Sequence, residues 1–264
     1  MSLLKRVLVG ISGNSISQKL LERNVNISQF LMGIGSGAGV DSSGEQVIFQ
    51  VLFKKSHPPY CIFDVGSNKG QFLDLILRNI PTNNFSIHCF EPGTTTFQSL
   101  LENWINDDRI KLNNIGLGKE SKEMLLYYDK AGSGLASLTQ RKLKHFNIDH
   151  SKSEKVKIET IDNYCHKNNI GKIDLLKIDV EGHELDVLIG ANHMFEQNRV
   201  NLISFEFGGC NIDTRSFFQD FYYFFKDRGM KLFRITPSSY LHPIISYKEI
   251  DEQFRTTNFL AIKC

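Results

Sequence analysis

No two cysteines of this sequence are spaced to share a metal or a redox loop. The five, Cys61, Cys89, Cys165, Cys210 and Cys264, include no C-x-x-C pair, which excludes a zinc ribbon and a thioredoxin-like motif. An odd count, with members inside apolar, strand-like runs, predicts buried or free thiols in a reducing cytoplasm. No apolar run approaches the roughly 20 residues needed to span a bilayer. The opening stretch from Met1 to Val9 is broken by Lys5 and Arg6 and offers no clear cleavage site, so it does not read as a signal peptide. Charge of one sign is missing as well. A net charge of +2 gives no reason to expect nucleic acid or an anionic membrane as an obligatory partner. Internal repeats and low-complexity tracts are absent. What remains is an ordinary globular composition, 41% hydrophobic and 23% charged, on 264 residues, enough for one large domain or a domain with an extension.

Two regions separate along the chain. Residues 1–57 read as a helical and loop extension. Leu3, Leu4, Val7, Leu8 and Ile11 share one helical face, expected to pack on the domain's own core, with membrane-surface or partner binding as the alternative. Gly33 to Gly44 reads as a mobile, glycine-rich loop, and Ser43 with Gln46 forms a capping-box pattern before an apolar helix from Val47 to Phe53. His57-Pro58-Pro59-Tyr60 stops that helix.

Residues 58–264 alternate short apolar strands with helices. Strands are expected at 61–65, 86–90, 110–115, 174–179, 202–207, 230–235 and 258–262. Helices are expected at 72–80, 95–106, 182–195 and 213–226. This pattern predicts an α/β fold with a mostly parallel seven-stranded sheet covered by helices on both faces, one of the last strands being antiparallel. Met124 to Tyr128 and Val156 to Glu159 interrupt the alternation as extra strands that roof or extend the sheet.

In an open parallel sheet, ligands bind beyond the carboxyl ends of the strands. Carboxylates recur at that edge: Asp64 ends the first strand, Glu91 the second, Asp179 the fourth, and Glu206 lies near the end of the fifth. Their recurrence inside apolar runs points to a shared ligand site. The turn after the first strand is G-x-N-x-G, through Gly66, Ser67, Asn68 and Gly70, and lacks the third glycine of the dinucleotide fingerprint. A pyrophosphate seeks amide donors without a carboxylate beside them, and Asp64 would repel it. S-adenosylmethionine carries an ammonium and a sulfonium, which an anionic lining suits. Glu91 is placed to accept ribose hydroxyls, a role shared by nicotinamide enzymes. A nicotinamide-dependent oxidoreductase and a non-catalytic cofactor-binding protein are therefore the rival readings. Methyl transfer to a hydroxyl needs in-line positioning and a base, for which His183 and Glu206 are the candidates. Asp179, Glu181 and Glu206 are oxygen donors, but three carboxylates do not make a magnesium site, and no metal is assigned.

At these clusters the chain resembles the FkbM-type methyltransferases. The matching residues are Phe63 to Gly70, Phe90-Glu91-Pro92, Glu159 to Asp162, Leu175 to Leu185 and Asn258 to Ala261. The run Lys177-Ile178-Asp179-Val180-Glu181-Gly182-His183-Glu184 is the most specific of these. The resemblance implies the Rossmann-like class I methyltransferase fold, S-adenosylmethionine as donor, and O-methylation of a sugar hydroxyl in a glycan or glycosylated metabolite. It implies Asp64, Gly66, Asn68 and Glu91 as cofactor contacts, with Asp179 and Glu181 lining the active site. Ser67, Gly70 and Asn114 complete the expected cofactor contacts. The segment after the fourth strand is unlike that of nucleobase N-methylating enzymes, so no nucleic-acid partner is expected. Stable membrane insertion is not expected either. The acceptor loops are expected at Gly33–Gly44, Gly132–His150 and Pro237–Glu252, with Ser133, Ser137, Arg215 and His242 as possible contacts.

Overall fold

The computed structural model describes residues 3–104 and 107–264; the side chains of Leu3, Leu4 and Val7, and the expected helix end at Asn106, lie outside the described residues. In chain order the elements begin with α1 (Leu3–Ser12), α2 (Ser15–Leu31), α3 (Val47–Lys55), β1 (Tyr60–Val65), α4 (Gln71–Asn79), β2 (Phe85–Phe90), α5 (Thr94–Trp104) and β3 (Ile110–Asn113). Next come β4 (Gly116–Leu117), β5 (Lys122–Tyr128), β6 (Lys152–Glu159), α6 (Ile161–Lys167), β7 (Ile173–Ile178), α7 (Glu184–Ile189) and α8 (Asn192–Glu196). The chain closes with β8 (Val200–Phe207), α9 (Cys210–Thr214), α10 (Phe218–Asp227), β9 (Met230–Ile235), β10 (Leu241–Ile244) and β11 (Thr257–Lys263).

Eight strands form one sheet in the order β10-β9-β11-β8-β7-β1-β2-β3. β3, β2, β1, β7 and β8 are parallel neighbours, whereas β11 is antiparallel to both β8 and β9. This is the expected Rossmann-like architecture, with one addition. β10, inside the expected Pro237–Glu252 loop, pairs antiparallel with β9 and makes eight strands rather than seven. Its Pro243 argues against a central strand, and the structure puts it at the sheet edge, where a missing N–H is tolerated.

Strand alternation divides the core. Ile62, Ile87, Leu175, Leu202 and Leu260 pack with the buried faces of α3, α4 and α5. Phe63, Phe90, Leu176, Phe205 and Phe259 pack with α6, α7, α8 and α10 on the opposite face. Because successive residues of a strand point to opposite sides, Asp64, Lys177 and Glu206 share the face of Ile62, Leu175 and Leu202. Three polar residues distant in sequence are thus gathered above the α3–α5 layer. The extra strands β5 and β6 join β4 in a separate three-stranded sheet rather than extending the main one.

Several local expectations are corrected. The helix expected at 182–195 is two, α7 and α8. A Cβ on Gly190 between them would stand 2.1 Å from the Gly118 carbonyl oxygen, so the chain passes there as bare backbone. The helix expected at 213–226 is also two, broken at Arg215, whose φ of 62° is left-handed. Asp213, the expected start of that helix, lies inside α9. The capping box before α3 does not form: Ser43 Oγ donates to Glu45 Oε2 (2.8 Å), and Gln46 makes no side-chain cap.

The extension of residues 1–57 divides in two. Gly33 to Gly44 is not an open loop. Gly37 N donates to Thr256 O at 3.0 Å, and a Cβ on Gly44 would lie 2.1 Å from Thr236 O, so this glycine-rich stretch is pressed onto the backbone after β9 and before β11. α2, by contrast, has no buried residue, and Leu8 and Ile11 of α1 are 51% and 61% exposed instead of packing on the core. No helix of the described residues is long and apolar enough to cross a membrane.

Candidate active site

The turn after β1 is tied to both neighbouring strands. Gly66 N and Ser67 N donate to Phe90 O at 2.9 and 3.1 Å, and Asp179 N donates to Val65 O at 2.9 Å. Ser67 Oγ donates to Asp64 O (2.7 Å) and accepts from Phe90 N (3.2 Å). Gly66 has φ 83°, and a Cβ there would stand 1.8 Å from Asp179 O, so no other residue lets β1 and β7 end this close together. Gly70, φ 93°, is the N-cap of α4 and packs on Trp104; it shapes the turn from behind and is not part of the cavity wall.

A cavity of about 590 Å³ opens at this edge, a size typical of small-molecule sites. Asp64, Gly66, Ser67, Asn68, Glu91, Asp179, Glu181 and Glu206 all line it, so the structure brings together most of the residues expected from sequence. Glu91 is fixed by two amides, Asn68 N on Oε2 (3.0 Å) and Gly93 N on Oε1 (2.8 Å). Asn114 is exposed and outside the lining; its amide donates to the carbonyls of Glu91 (2.9 Å) and Pro92 (3.1 Å) and so fixes the end of β2.

Sequence reasoning missed two participants. Glu45, from the glycine-rich segment, lines the cavity at 2% side-chain exposure and pairs with Lys177 Nζ at 3.3 Å. Lys177 also lies 3.8 Å from Asp179 and 5.6 Å from the centre of the Phe72 ring. Burial opposes its charge, but Glu45, Asp179 and Glu206 together outweigh burial and hold it firmly protonated. The signal was there in part: a lysine inside the otherwise apolar run Leu175-Leu176-Lys177-Ile178 needs a buried anion. Nothing local in the sequence names Glu45 as that anion. Gly37 to Ser42 form the wall beside it.

Negative charge still exceeds positive around the cavity. Burial pushes the Asp64 carboxyl up to about 7, against the pull of Lys177, and pushes Glu91 up to about 7, against its two amide donors. Burial and the neighbouring Asp179 charge raise Glu181 to about 8, against Arg141. Burial, then Asp179 and Glu181, hold Glu206 well above the usual carboxylate range. Among the described residues that line the cavity, Asp64 Oδ2 and Asn68 Oδ1 are buried without a hydrogen-bond partner, while Glu45 Oε1 is met by the Lys177 ammonium. Unpartnered buried acceptors are costly, and a donor-rich, cationic ligand would satisfy both.

The turn after β7 presents Asp179 and Glu181 and is braced from beneath. Glu184 Oε1 accepts from Gly182 N (2.9 Å) and Val180 N (3.3 Å), while Asn211 Nδ2 donates to Oε2 (3.3 Å). Glu181, φ 53°, is paired through its carboxylate with Arg141 and accepts at its carbonyl from Ser137 Oγ (2.7 Å). His183 stands outside the lining. Its Nδ1 is 2.9 Å from Asp186 Oδ2 and its Nε2 is 2.9 Å from Thr139 Oγ1, so both ring nitrogens are engaged. Ser133 lines the cavity, Ser137 is buried, and His242 and Arg215 are exposed away from it. Arg141, from the 132–150 loop, is the arginine that meets the acidic turn. No group of three or more His, Cys, Asp or Glu among the described residues is arranged to hold a metal.

A family model of the methyltransferase FkbM domain matches residues 64–232, well over half of the chain, and the chain belongs to that methyltransferase family. Among curated relatives, it is 28% identical over 168 residues to the hexuronic acid methyltransferase AglP of Haloferax volcanii, covering 63% of each chain. It is 22% identical over 185 residues to the 2-O-methyltransferase NoeI of Sinorhizobium fredii, covering 66% of this chain and 75% of that one. The match to Methyltransferase 1 of Beauveria bassiana, 27% identical, covers 50% of this chain and 58% of the relative, so two of these alignments span less than two thirds of the relatives' length. A solved FkbM methyltransferase from Methylobacillus flagellatus overlays 89% of this chain and 58% of its own at 15% identity and a TM-score of 0.44.

Proposed function

We propose that the cavity binds S-adenosylmethionine and that the chain transfers its methyl group to a sugar hydroxyl of a glycan or glycosylated metabolite. The observation that carries this reading is the anionic wall with unpartnered acceptors at Asp64 and Asn68, facing the same cavity as the amide-fixed Glu91. When bound, the donor supplies an electrophilic methyl on a sulfonium. In our assignment Asp64 and Asn68 receive the donor's ammonium. Glu91, with a lone pair left on each oxygen, accepts the ribose hydroxyls, and Asp179 faces the cationic end. A pyrophosphate would meet the same carboxylates without compensation, which disfavours a nicotinamide cofactor.

Glu206 is our base for the acceptor hydroxyl. It lines the cavity, and burial beside Asp179 and Glu181 raises its proton affinity, so that in its ionised form it is a stronger base than an ordinary carboxylate. His183 we assign to positioning, because it joins Thr139 of the 132–150 loop to Asp186 of α7. The names of the two relatives, a hexuronic acid methyltransferase and a 2-O-methyltransferase, support a carbohydrate acceptor. Free thiols throughout support work in the reducing cytoplasm. The functional unit starts near Gly33 rather than at residue 58, since Gly37 to Glu45 wall the cavity. Incubation with isotope-labelled donor and a panel of uronate and neutral oligosaccharides should give a product heavier by one methylene equivalent, with label on oxygen, and Glu206→Gln should slow it by about 100-fold or more. Donor binding without transfer to any saccharide would overturn the sugar assignment.

A further inference from the structure

The chain-wide charge of +2 conceals a segregation. Residues 1–31 carry Lys5, Arg6, Lys19 and Arg23 against Glu22 alone, a balance of +3, so the remaining residues together carry −1. Among the described residues, exposed large apolar side chains concentrate in the same segment and in Met32 beside it. Leu8, Val9, Ile11, Ile16, Leu20, Leu21, Val25, Ile27, Phe30, Leu31 and Met32 are each 45% or more exposed. A contiguous patch of this kind marks an interaction site rather than ordinary surface.

The orientation of α2 is inverted relative to a packed amphipathic helix. Asn26 and Gln29 face the body: Arg255 Nη1 donates to Asn26 Oδ1 (3.0 Å), and Gln29 Nε2 donates to Gln253 Oε1 (2.8 Å). Arg234 Nε fixes the helix end by donating to Met32 O at 2.8 Å. At about 100° per residue, Ile16, Leu20, Ile27 and Leu31 form a stripe turned away from these contacts, with Arg23 at its border and Lys19 between Arg23 and Asn26. Asn26 and Gln29 are turned to the protein and this apolar stripe to the outside. α1 folds back on α2 through Asn14, whose Oδ1 caps Ser17 N at 2.9 Å, and adds Leu8 and Ile11.

We propose that α1 and α2 form an interfacial hairpin that docks the protein on a bilayer carrying anionic lipids. The apolar stripe enters the headgroup boundary, while Lys19 and Arg23 extend their charged ends to the lipid phosphates. A second copy of the chain is the poorer occupant, because a two-fold pairing sets the same cations against themselves. An anionic surface answers both the stripe and the +3 charge. Docking is peripheral, since neither helix crosses the membrane. It is also independent of what the cavity binds.

Flotation of the full chain with vesicles tests this, comparing phosphatidylcholine alone with an equal mixture of phosphatidylcholine and phosphatidylglycerol. The bound fraction should be roughly tenfold or more greater on the anionic vesicles, and should fall as salt is raised. Leu20→Ser with Ile27→Ser should abolish binding, and Lys19→Glu with Arg23→Glu should remove the preference for anionic lipid. Both pairs replace exposed side chains, so circular dichroism and the thermal midpoint should match the parent. Equal partition to both vesicles, or no partition, overturns the proposal. So does a stable dimer in sedimentation velocity that the Leu20→Ser, Ile27→Ser variant dissolves.

Discussion

Asp64 and Glu91 are buried carboxyls whose pKa values rise to about 7 in the folded chain. A carboxyl with a higher pKa folded than unfolded binds its proton more tightly in the native state. Its contribution to stability is present below the unfolded value and is lost as pH rises through the folded value. The ligand-free protein should therefore lose stability between about pH 4 and pH 7, with the penalty complete above that. Asp64→Asn removes one of these charges without changing shape. At mildly alkaline pH its thermal midpoint, by calorimetry, should exceed that of the parent by a few degrees, an effect on the order of 1–2 kcal/mol. A lower midpoint would mean that Asp64 supports the fold rather than a ligand. Asp64, Glu91, Asp179 and Glu206 were all legible in the sequence, because a charged residue at the end of an apolar strand has few places to point. The partners of His183 were not legible, because an imidazole beside two carboxylates in sequence says nothing about whether its nitrogens are already engaged.

At the scale of elements, β1, β2, β7 and β8 and the helices after them followed from period and spacing, since each carries its own apolar pattern. Breaks at Gly190 and Arg215 did not follow, because both depend on where the chain must pass a distant backbone or turn. The glycine-rich segment is the clearest instance. Read locally, Gly33 to Gly44 is a flexible loop; in the fold, the absence of side chains lets it lie against Thr236 and Thr256 and deliver Glu45 to Lys177. Two truncations separate these roles. Removal of residues 1–31 should leave donor binding within about threefold of the parent, since α2 buries no residue. Removal of residues 1–45 should abolish binding and destabilise the fold by about 3–5 kcal/mol, the usual result of leaving a buried ion without its partner. Titration calorimetry and urea unfolding distinguish the two, and equal behaviour of both truncations would contradict a wall built from residues 37–45.

Across the whole molecule, the parallel sheet gathers chemistry that the sequence scatters between Asp64 and Glu206. Strand parity sends Asp64, Lys177 and Glu206 to one face, the tight passage at Gly66 joins the ends of β1 and β7, and the N-terminal segment closes the side. The chain belongs to the FkbM methyltransferase family, which supports the methyl transfer proposed above. The central claim about this cavity is that its excess of buried carboxylate is matched by a cationic methyl donor. Such a ligand favours the ionised form of Asp64, so binding should release protons and tighten as pH rises through about 7. Isothermal titration of S-adenosylmethionine into the full chain at several pH values tests this directly. The account predicts one site of micromolar affinity that strengthens with pH, and a loss of about 10- to 100-fold in Asp64→Asn. No binding in the millimolar range, or an affinity unaltered by that substitution, would contradict it.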